Sequence, residues 1–123
     1  MPFKIRRDPL DKLFSNYIRL RDKLTCQRCG RVFPKLTGGL HCAHYHKRRK
    51  QSVRFDPDNA VAFCFGCHTF MDENFDDYFT PFMIRRLGQE RFDMLAGRMR
   101  QYGKPDRNLI KLWLKQELAK IGE

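Results

Sequence analysis

The chain has 123 residues and a mass of 14.8 kDa, which is enough for one domain of ordinary size. Hydrophobic residues make up 41% of it, which excludes a wholly disordered chain, and no apolar run approaches the ~18 residues that a membrane-spanning helix needs. The first residues also lack the apolar stretch of a secretory signal, so we expect a soluble, intracellular protein without a membrane partner.

Charge is distributed unevenly along the chain. Lys and Arg number 25 against 14 Asp and Glu, and the formal net charge is +11. Basic residues dominate positions 1–55 and 81–123, whereas positions 56–80 contain six acidic residues and no basic one. A large positive excess favours a polyanionic partner, because nucleic-acid binding releases counterions condensed on the phosphates. An ordinary solvated basic surface is the alternative interpretation, and the local carboxylates could serve a metal ion.

The first elements are predicted from caps, periodicity and turn residues. Asp8-Pro9 is typical of a helix start, and the apolar residues after it recur with the 3.6 period, which predicts a helix over residues 9–22. Residues 31–33 and 40–45 are predicted as two short strands, joined by a glycine-containing turn over residues 34–39.

The remainder of the chain is predicted to be mainly helical. Four helical segments are expected, one beginning within or just after residues 64–67 and the others over about residues 75–87, 89–102 and 106–121, the last with Asp106 as its N-cap. Their apolar residues are interpreted as core: Phe79, Phe82, Met83, Phe92, Leu95, Met99, Ile110, Trp113 and Leu118. No repeat or long linker divides the chain, so we predict a single domain over residues 1–123, with a central core over 23–74 and C-terminal helices over 75–123.

Four of the five cysteines form two pairs with the same spacing. Cys26 and Cys29 form the first C-x-x-C pair, and Cys64 and Cys67 form the second. A two-residue gap lets both thiolates of a pair reach one tetrahedral zinc ion, so the two pairs predict one structural zinc site. The 34 residues between the pairs exceed the spacing of a simple zinc ribbon, which indicates a folded insertion. A redox role is the alternative for a single pair, and Cys42 is left as a free thiol.

The residues between and just after the cysteine pairs resemble a known family. His44, Asn59 and His68 follow in the order His, Asn, His, and this order resembles the HNH (ββα-metal) endonucleases that carry a four-cysteine zinc. Further positions resemble the phage NinG/Rap-type recombination endonucleases: residues 40–45, Arg48, residues 54–56, Asn74, Tyr78 and residues 85–88. The resemblance covers roughly residues 20–120. It implies an α+β fold, in which an N-terminal helix precedes a zinc-braced ββα-metal core and a C-terminal helical subdomain follows it.

The resemblance also implies an activity. It implies a metal-dependent endonuclease that hydrolyses phosphodiester bonds of branched DNA, such as Holliday junctions and D-loops, during phage recombination in the host cytoplasm. His44 would be the general base, Asn59 would orient it, and His68 would contact a catalytic Mg²⁺ or Mn²⁺. Many HNH enzymes carry an Asp or His ligand directly before the base, where this chain has Ala43.

The ligands of the catalytic ion are therefore open. The candidates, in order of preference, are His68, Asn74, Asp72 and His41. Asp72 would share a helix face with His68 at the i, i+4 spacing if the helix extends that far. The non-catalytic alternatives are also open. His44 could help to fill a zinc site or be a polar hairpin residue, and His68 could be a surface neighbour of the second cysteine pair. Asn59 could be a turn or cap residue in a segment rich in turn formers.

A run of basic residues follows the predicted base. We expect these residues to bind phosphate: Lys47, Arg48, Arg49, Lys50 and Arg54. The resemblance favours Arg48 and Arg54, and Arg suits bidentate contacts to phosphate, although such a run is often a solvated charge cluster. The alternative function is a non-catalytic, zinc-stabilised module that binds DNA or recruits partners, and a remoter one is a regulator that binds RNA. The sequence does not indicate an oligomeric state.

Overall fold

The structure, a computed structural model, describes residues 8–122. Within them lie five α-helices and two strands in this order: α1 (Pro9–Arg21), β1 (Leu40–His44), β2 (Ala60–Cys64), α2 (Phe65–Glu73), α3 (Thr80–Leu87), α4 (Gln89–Met99) and α5 (Arg107–Ile121). Two 3₁₀ turns, Gln51–Val53 and Pro57–Asn59, lie between the strands, and a π-helical turn, Phe75–Phe79, precedes α3. This mixture of helices with a small sheet confirms the predicted α+β class.

The helix boundaries follow from local signals. The side chain of Asp8 accepts a hydrogen bond from the Leu10 N–H at 2.9 Å, and Asp106 accepts one from Leu109 at 3.1 Å, so both predicted N-caps are confirmed. The predicted first helix ends one residue early, at Arg21. The predicted helix over 89–102 ends at Met99, and the one over 75–87 begins with the π-helical turn.

The predicted pairing of residues 31–33 with 40–45 is wrong. β1 pairs antiparallel with β2, in a register that places Leu40 opposite Cys64 and His44 opposite Ala60. Val32 instead forms a bridge with Thr25, because Gly30, in the left-handed region at φ 80°, turns the chain back through the first cysteine pair. All five residues of β2 are buried, whereas Val32 is 69% exposed, so β2 is the strand that buries apolar surface beside β1.

Two apolar clusters pack around this sheet. The larger one joins Phe63 of β2 to Phe79 and Met83 of the C-terminal half, and the smaller one joins Phe14 and Ile18 of α1 to Leu114 of α5. The predicted burial of Phe79, Met83 and Leu95 is confirmed. Trp113 is wrongly predicted as core: it is 37% exposed and packs edge-on against Tyr17, because α5 lies on α1 with Leu114 as its buried residue.

A buried carboxylate joins the end of α1 to the rest of the fold. Asp22 is 7% exposed, and its Oδ2 atom accepts a hydrogen bond from the Ala62 N–H of β2 at 2.9 Å. Its Oδ1 atom accepts from Arg86 of α3 at 2.9 Å and from the neighbouring Arg21 at 3.0 Å. The Asp22 carboxylate thus links the end of α1 to β2 and α3, and its hydrogen bonds compensate its burial. Among residues 8–122, no helix is both long and apolar enough to cross a membrane.

Candidate functional site

The four paired cysteines converge at one end of the sheet. Their Sγ atoms all lie within 4.8 Å of one another, and those of Cys29 and Cys64 are 3.8 Å apart. Tetrahedral zinc holds its sulfur ligands at about 2.3 Å, which places neighbouring sulfurs about 3.8 Å apart. All four cysteines are reduced, so no disulfide competes for the thiols. The four side chains are thus positioned to bind one metal ion, as the two pairs predict for structural zinc.

A metal ion bound by this cluster has to displace protons from the thiols. Burial raises the pKa of Cys67 to about 12, although a contact from Arg28 opposes this shift, so a metal must displace the proton. The Arg28 guanidinium lies 3.5 Å from the Cys67 Sγ atom and stacks on the Phe70 ring at 4.0 Å. By contrast, Cys42 lies outside the cluster, and burial raises the pKa of its thiol to about 12, which keeps the thiol protonated at neutral pH.

Three of the four histidines line one cleft. His41 and His44 on β1 and His68 on α2 face a cavity of about 610 Å³, and α1 forms another wall of it. The sequence predicted that His44 and His68 would share a site, and the structure brings them together. His46 is not among the residues that line this cleft.

His44 is held by a backbone carbonyl. Its Nε2 atom lies 2.9 Å from the Arg54 oxygen, and since a carbonyl only accepts, Nε2 carries the proton of the neutral ring. Burial lowers the pKa of His44 to about 4, while the bond to Arg54 opposes the shift. The ring is therefore neutral at physiological pH, with its lone pair on Nδ1.

Asn59 fixes the loop that supplies this carbonyl. Its side chain is fully buried, and its Oδ1 atom accepts a hydrogen bond from the His46 N–H at 2.8 Å. Its Nδ2 atom donates to the carbonyls of His46 at 2.8 Å and Val53 at 3.2 Å. Because these bonds join both ends of the loop between β1 and β2, Asn59 positions the Arg54 carbonyl and does not itself line the cleft.

His41 and His68 meet through their Nδ1 atoms. These two atoms are 2.9 Å apart, a distance at which they share one proton or present two lone pairs to one cation. The other nitrogen of His68, Nε2, lies 3.3 Å from Asp72, which also bonds to Lys47 at 2.7 Å. Burial lowers the pKa of His68, as do the neighbouring His41 and Lys47, while Asp72 opposes the shift.

The structure brings only some of the four predicted ion ligands together. His41 and His68 face each other, and the predicted i, i+4 contact between His68 and Asp72 is present, but on the far side of the ring. Asn74 is not brought to the cleft: it ends α2, and its Nδ2 atom donates to the Phe70 carbonyl at 2.9 Å. Ala43 is fully buried in the larger apolar cluster, where a carboxylate would be costly.

A comparison with family models decides the family. The model described as the bacteriophage lambda NinG protein matches residues 3–121 of the chain. The chain belongs to the NinG family. No curated protein and no solved structure matches it significantly. Membership of this phage family suggests a role related to phage recombination, in agreement with the resemblance at residues 40–88.

In this NinG-family chain, two of the predicted phosphate-binding residues contact α1. Arg54 donates to Asp11 through Nε at 3.0 Å and through a second, shorter contact, and Arg48 also pairs with Asp11. Burial alone would raise the pKa of Asp11, but these two guanidinium groups outweigh it and lower the pKa. The Arg54 side chain is only 15% exposed, so its main contact is the ion pair within the fold and little of it is accessible to a phosphate.

The sequence did not predict the ion pairs made by the acidic residues at the start of α1. Asp8 and Asp11 line the cleft and pair with Arg48 and Arg54 of the basic loop, and Asp8 also pairs with Arg107 of α5 at 2.6 Å. Asp8, the N-cap, and Asp11, in the first turn of α1, are three residues apart, and this closeness at the start of the helix is visible in the sequence of the NinG-family chain. Their partners lie 37 to 99 residues away along the chain, so the sequence did not predict these ion pairs. Lys47 bonds to Asp72, and Arg49 and Lys50 are exposed.

Proposed function

We propose that this chain is a zinc-stabilised, metal-dependent DNA endonuclease of the HNH type. It would hydrolyse phosphodiester bonds in branched recombination intermediates of phage DNA, such as Holliday junctions and D-loops. The observation that carries the proposal is the shared cleft, in which a neutral imidazole with a fixed tautomer lies beside a close pair of histidines. The branched substrate rests on the resemblance and on the phage family.

His44 has the properties that a general base needs. Its Nε2–H is donated to the Arg54 carbonyl, so Nδ1 is the atom that can take a proton from an attacking water. The lowered pKa keeps the imidazole of His44 unprotonated at neutral pH, and it also makes this imidazole a weaker base. Asn59 acts one step behind it, because its buried amide holds the loop to which Arg54 belongs.

His41 and His68 are suited to hold a divalent ion in this cleft. Two adjacent octahedral ligands at about 2.1 Å from one ion lie about 3.0 Å apart, close to the 2.9 Å between their Nδ1 atoms. Asp72 orients His68 from behind, as carboxylates do for metal-binding histidines. When bound, Mg²⁺ or Mn²⁺ supplies Lewis-acid charge for the phosphate and the leaving oxygen.

The basic residues around the cleft support a polyanionic substrate. Arg48 lines the cleft with 58% of its side chain exposed, and the overall charge of +11 favours phosphate-dominated binding. Backbone contacts of this kind position DNA without reading its bases, which suits recognition of a branched shape. The zinc cluster stabilises the fold around the cleft, since Cys64 ends β2 and Cys67 lies in the first turn of α2, which carries His68.

The decisive experiment compares cleavage with binding in matched variants. The purified zinc-bound chain is incubated with a labelled four-way junction and with supercoiled plasmid, in Mg²⁺, in Mn²⁺ and without either ion. We expect ion-dependent cutting, and a loss of about 10²- to 10⁴-fold in His44→Ala with junction binding retained. His46→Ala is the matched control, because His46 lies outside the cleft, and it should cut normally.

Two results would refute the proposal. Equal cutting by wild type and His44→Ala would remove His44 from the mechanism. Junction binding by the wild type without cutting in either ion would favour the alternative, a non-catalytic zinc-stabilised DNA-binding or recruitment module.

A further inference from the structure

A second groove lies outside the histidine cleft. Its cavity measures about 670 Å³ and is formed by residues 49–52 on one side and residues 99–104 on the other. The first wall belongs to the loop between β1 and β2, and the second links α4 to α5. A hydrogen bond of 3.1 Å from the Ser52 hydroxyl to the Met99 carbonyl holds the two walls together. Nothing in the proposed hydrolysis uses this groove.

The groove is lined by basic side chains without acidic partners. Four of its lining residues are cationic: Arg49, Lys50, Arg100 and Lys104. No acidic residue lines it, and none of the four forms an ion pair with any residue in the described range 8–122. Neighbouring arginines differ, since Arg91 and Arg98 of α4 both pair with aspartates near β2. Four uncompensated charges around one cavity favour an anionic ligand.

One residue indicates which kind of anion would bind. Tyr102 lines the groove with its side chain fully exposed, at 103% of the reference area, and it contacts no other ring among residues 8–122. Full exposure of a large aromatic ring beside four cations matches the combination that binds single-stranded nucleic acid, in which bases stack on rings and cations follow the backbone. A paired base would not be free to stack on this ring.

The groove adjoins the proposed active site through one loop. Arg48 lines the histidine cleft, and the next two residues, Arg49 and Lys50, line the groove. A single strand that crosses this loop would therefore pass from one site to the other.

We propose that the groove binds an unpaired DNA strand that extends from the branch point held at the histidine cleft. This inference rests on the proposed endonuclease function, because the branch supplies the strand. It assigns base stacking to Tyr102 and backbone phosphate contacts to Arg49, Lys50, Arg100 and Lys104. The groove thereby favours substrates with single-stranded arms over uninterrupted duplexes.

Binding without cleavage tests the groove separately from the endonuclease. All proteins carry His44→Ala, and fluorescence anisotropy compares a forked DNA with a single-stranded arm against a blunt duplex of equal length. Tyr102→Ala should weaken binding of the forked DNA by about 5- to 150-fold and leave the duplex unchanged, whereas Tyr102→Phe should keep the wild-type preference. Arg100→Gln should reduce the salt slope for the forked DNA by about 0.7, and the matched control Arg85→Gln, an exposed arginine on α3, should not.

Several outcomes would overturn the inference. Equal losses on the forked and blunt DNA, or an unchanged preference in Tyr102→Ala, would remove single-strand recognition from the groove. If inorganic polyphosphate competes for the groove as strongly as single-stranded DNA does, the groove is only a general anion site. If an RNA of the same sequence competes more strongly than the DNA, RNA is the ligand of the groove. If the wild-type chain does not cut but the Tyr102 effect is present, the endonuclease proposal is refuted while the groove remains.

Discussion

The Nδ1 atoms of His41 and His68 lie 2.9 Å apart, although the two residues are 27 positions apart in the sequence. β1 supplies one imidazole and α2 the other, and the intervening loop and β2 bring them together. Asp72 contacts the opposite nitrogen of His68, so this ring is oriented from both sides. The pair is therefore a preorganised feature of the fold.

Removing the carboxylate behind His68 should weaken the binding of the proposed catalytic ion. In Asp72→Ala we expect the Mn²⁺ concentration for half-maximal cleavage to rise by about 10- to 100-fold, because an unsupported histidine is a less basic and less ordered ligand. Titration of activity against Mn²⁺ measures this. Asp76→Ala, which removes an exposed acid of the π-helical turn, is the control. An identical Mn²⁺ requirement in both variants would contradict the assignment.

Loss of one clustered cysteine should release the structural metal. Cys26→Ser is expected to lower the zinc content from about one ion per chain to well below one, and to lower the melting temperature, because metal binding contributes directly to folding at such sites. Elemental analysis and thermal unfolding measure the two effects. Cys42→Ser should retain its zinc, since Cys42 lies outside the cluster. Full zinc content in Cys26→Ser would refute the four-cysteine site.

Two neighbouring arginines of the basic loop should behave differently. Arg54→Gln is expected to destabilise the fold by about 2–3 kcal/mol, because it removes the guanidinium that pairs with the mostly buried carboxylate of Asp11. Arg48→Gln, at a more exposed side chain, should cost less than about 1 kcal/mol but reduce the salt slope of DNA binding by about one. Urea unfolding and salt-dependent anisotropy separate the effects. The reverse ranking would show that Arg54 is the DNA contact.

His44 should make the protein less stable in acid. Burial lowers its pKa from 6.5 to about 4, so the unfolded chain binds more protons between these values and stability falls as the pH decreases through this window. The loss is at most about 3 kcal/mol below pH 4, and the stabilisation is complete above pH 6.5. Urea midpoints measured from pH 4 to pH 7 should therefore decline more steeply for the wild type than for His44→Gln. Parallel curves would contradict a buried, neutral His44.

The sequence by itself determined the features that depend on neighbouring residues. The Asp8 and Asp106 caps, the C-x-x-C spacing and the i, i+4 relation of His68 to Asp72 all involve groups a few positions apart, whose geometry the local backbone fixes. The two cysteine pairs also predicted their own meeting, because tetrahedral zinc requires four ligands.

Only the tertiary structure decided the long-range partners. It paired β1 with β2 instead of with residues 31–33, left Trp113 half-exposed and placed Arg54 against Asp11 instead of in solvent. Each outcome depends on which distant surfaces bury the most apolar area and satisfy the most charges together, a comparison over the whole chain that no local pattern encodes. The histidine cleft exists for the same reason, since its walls come from α1, β1 and α2.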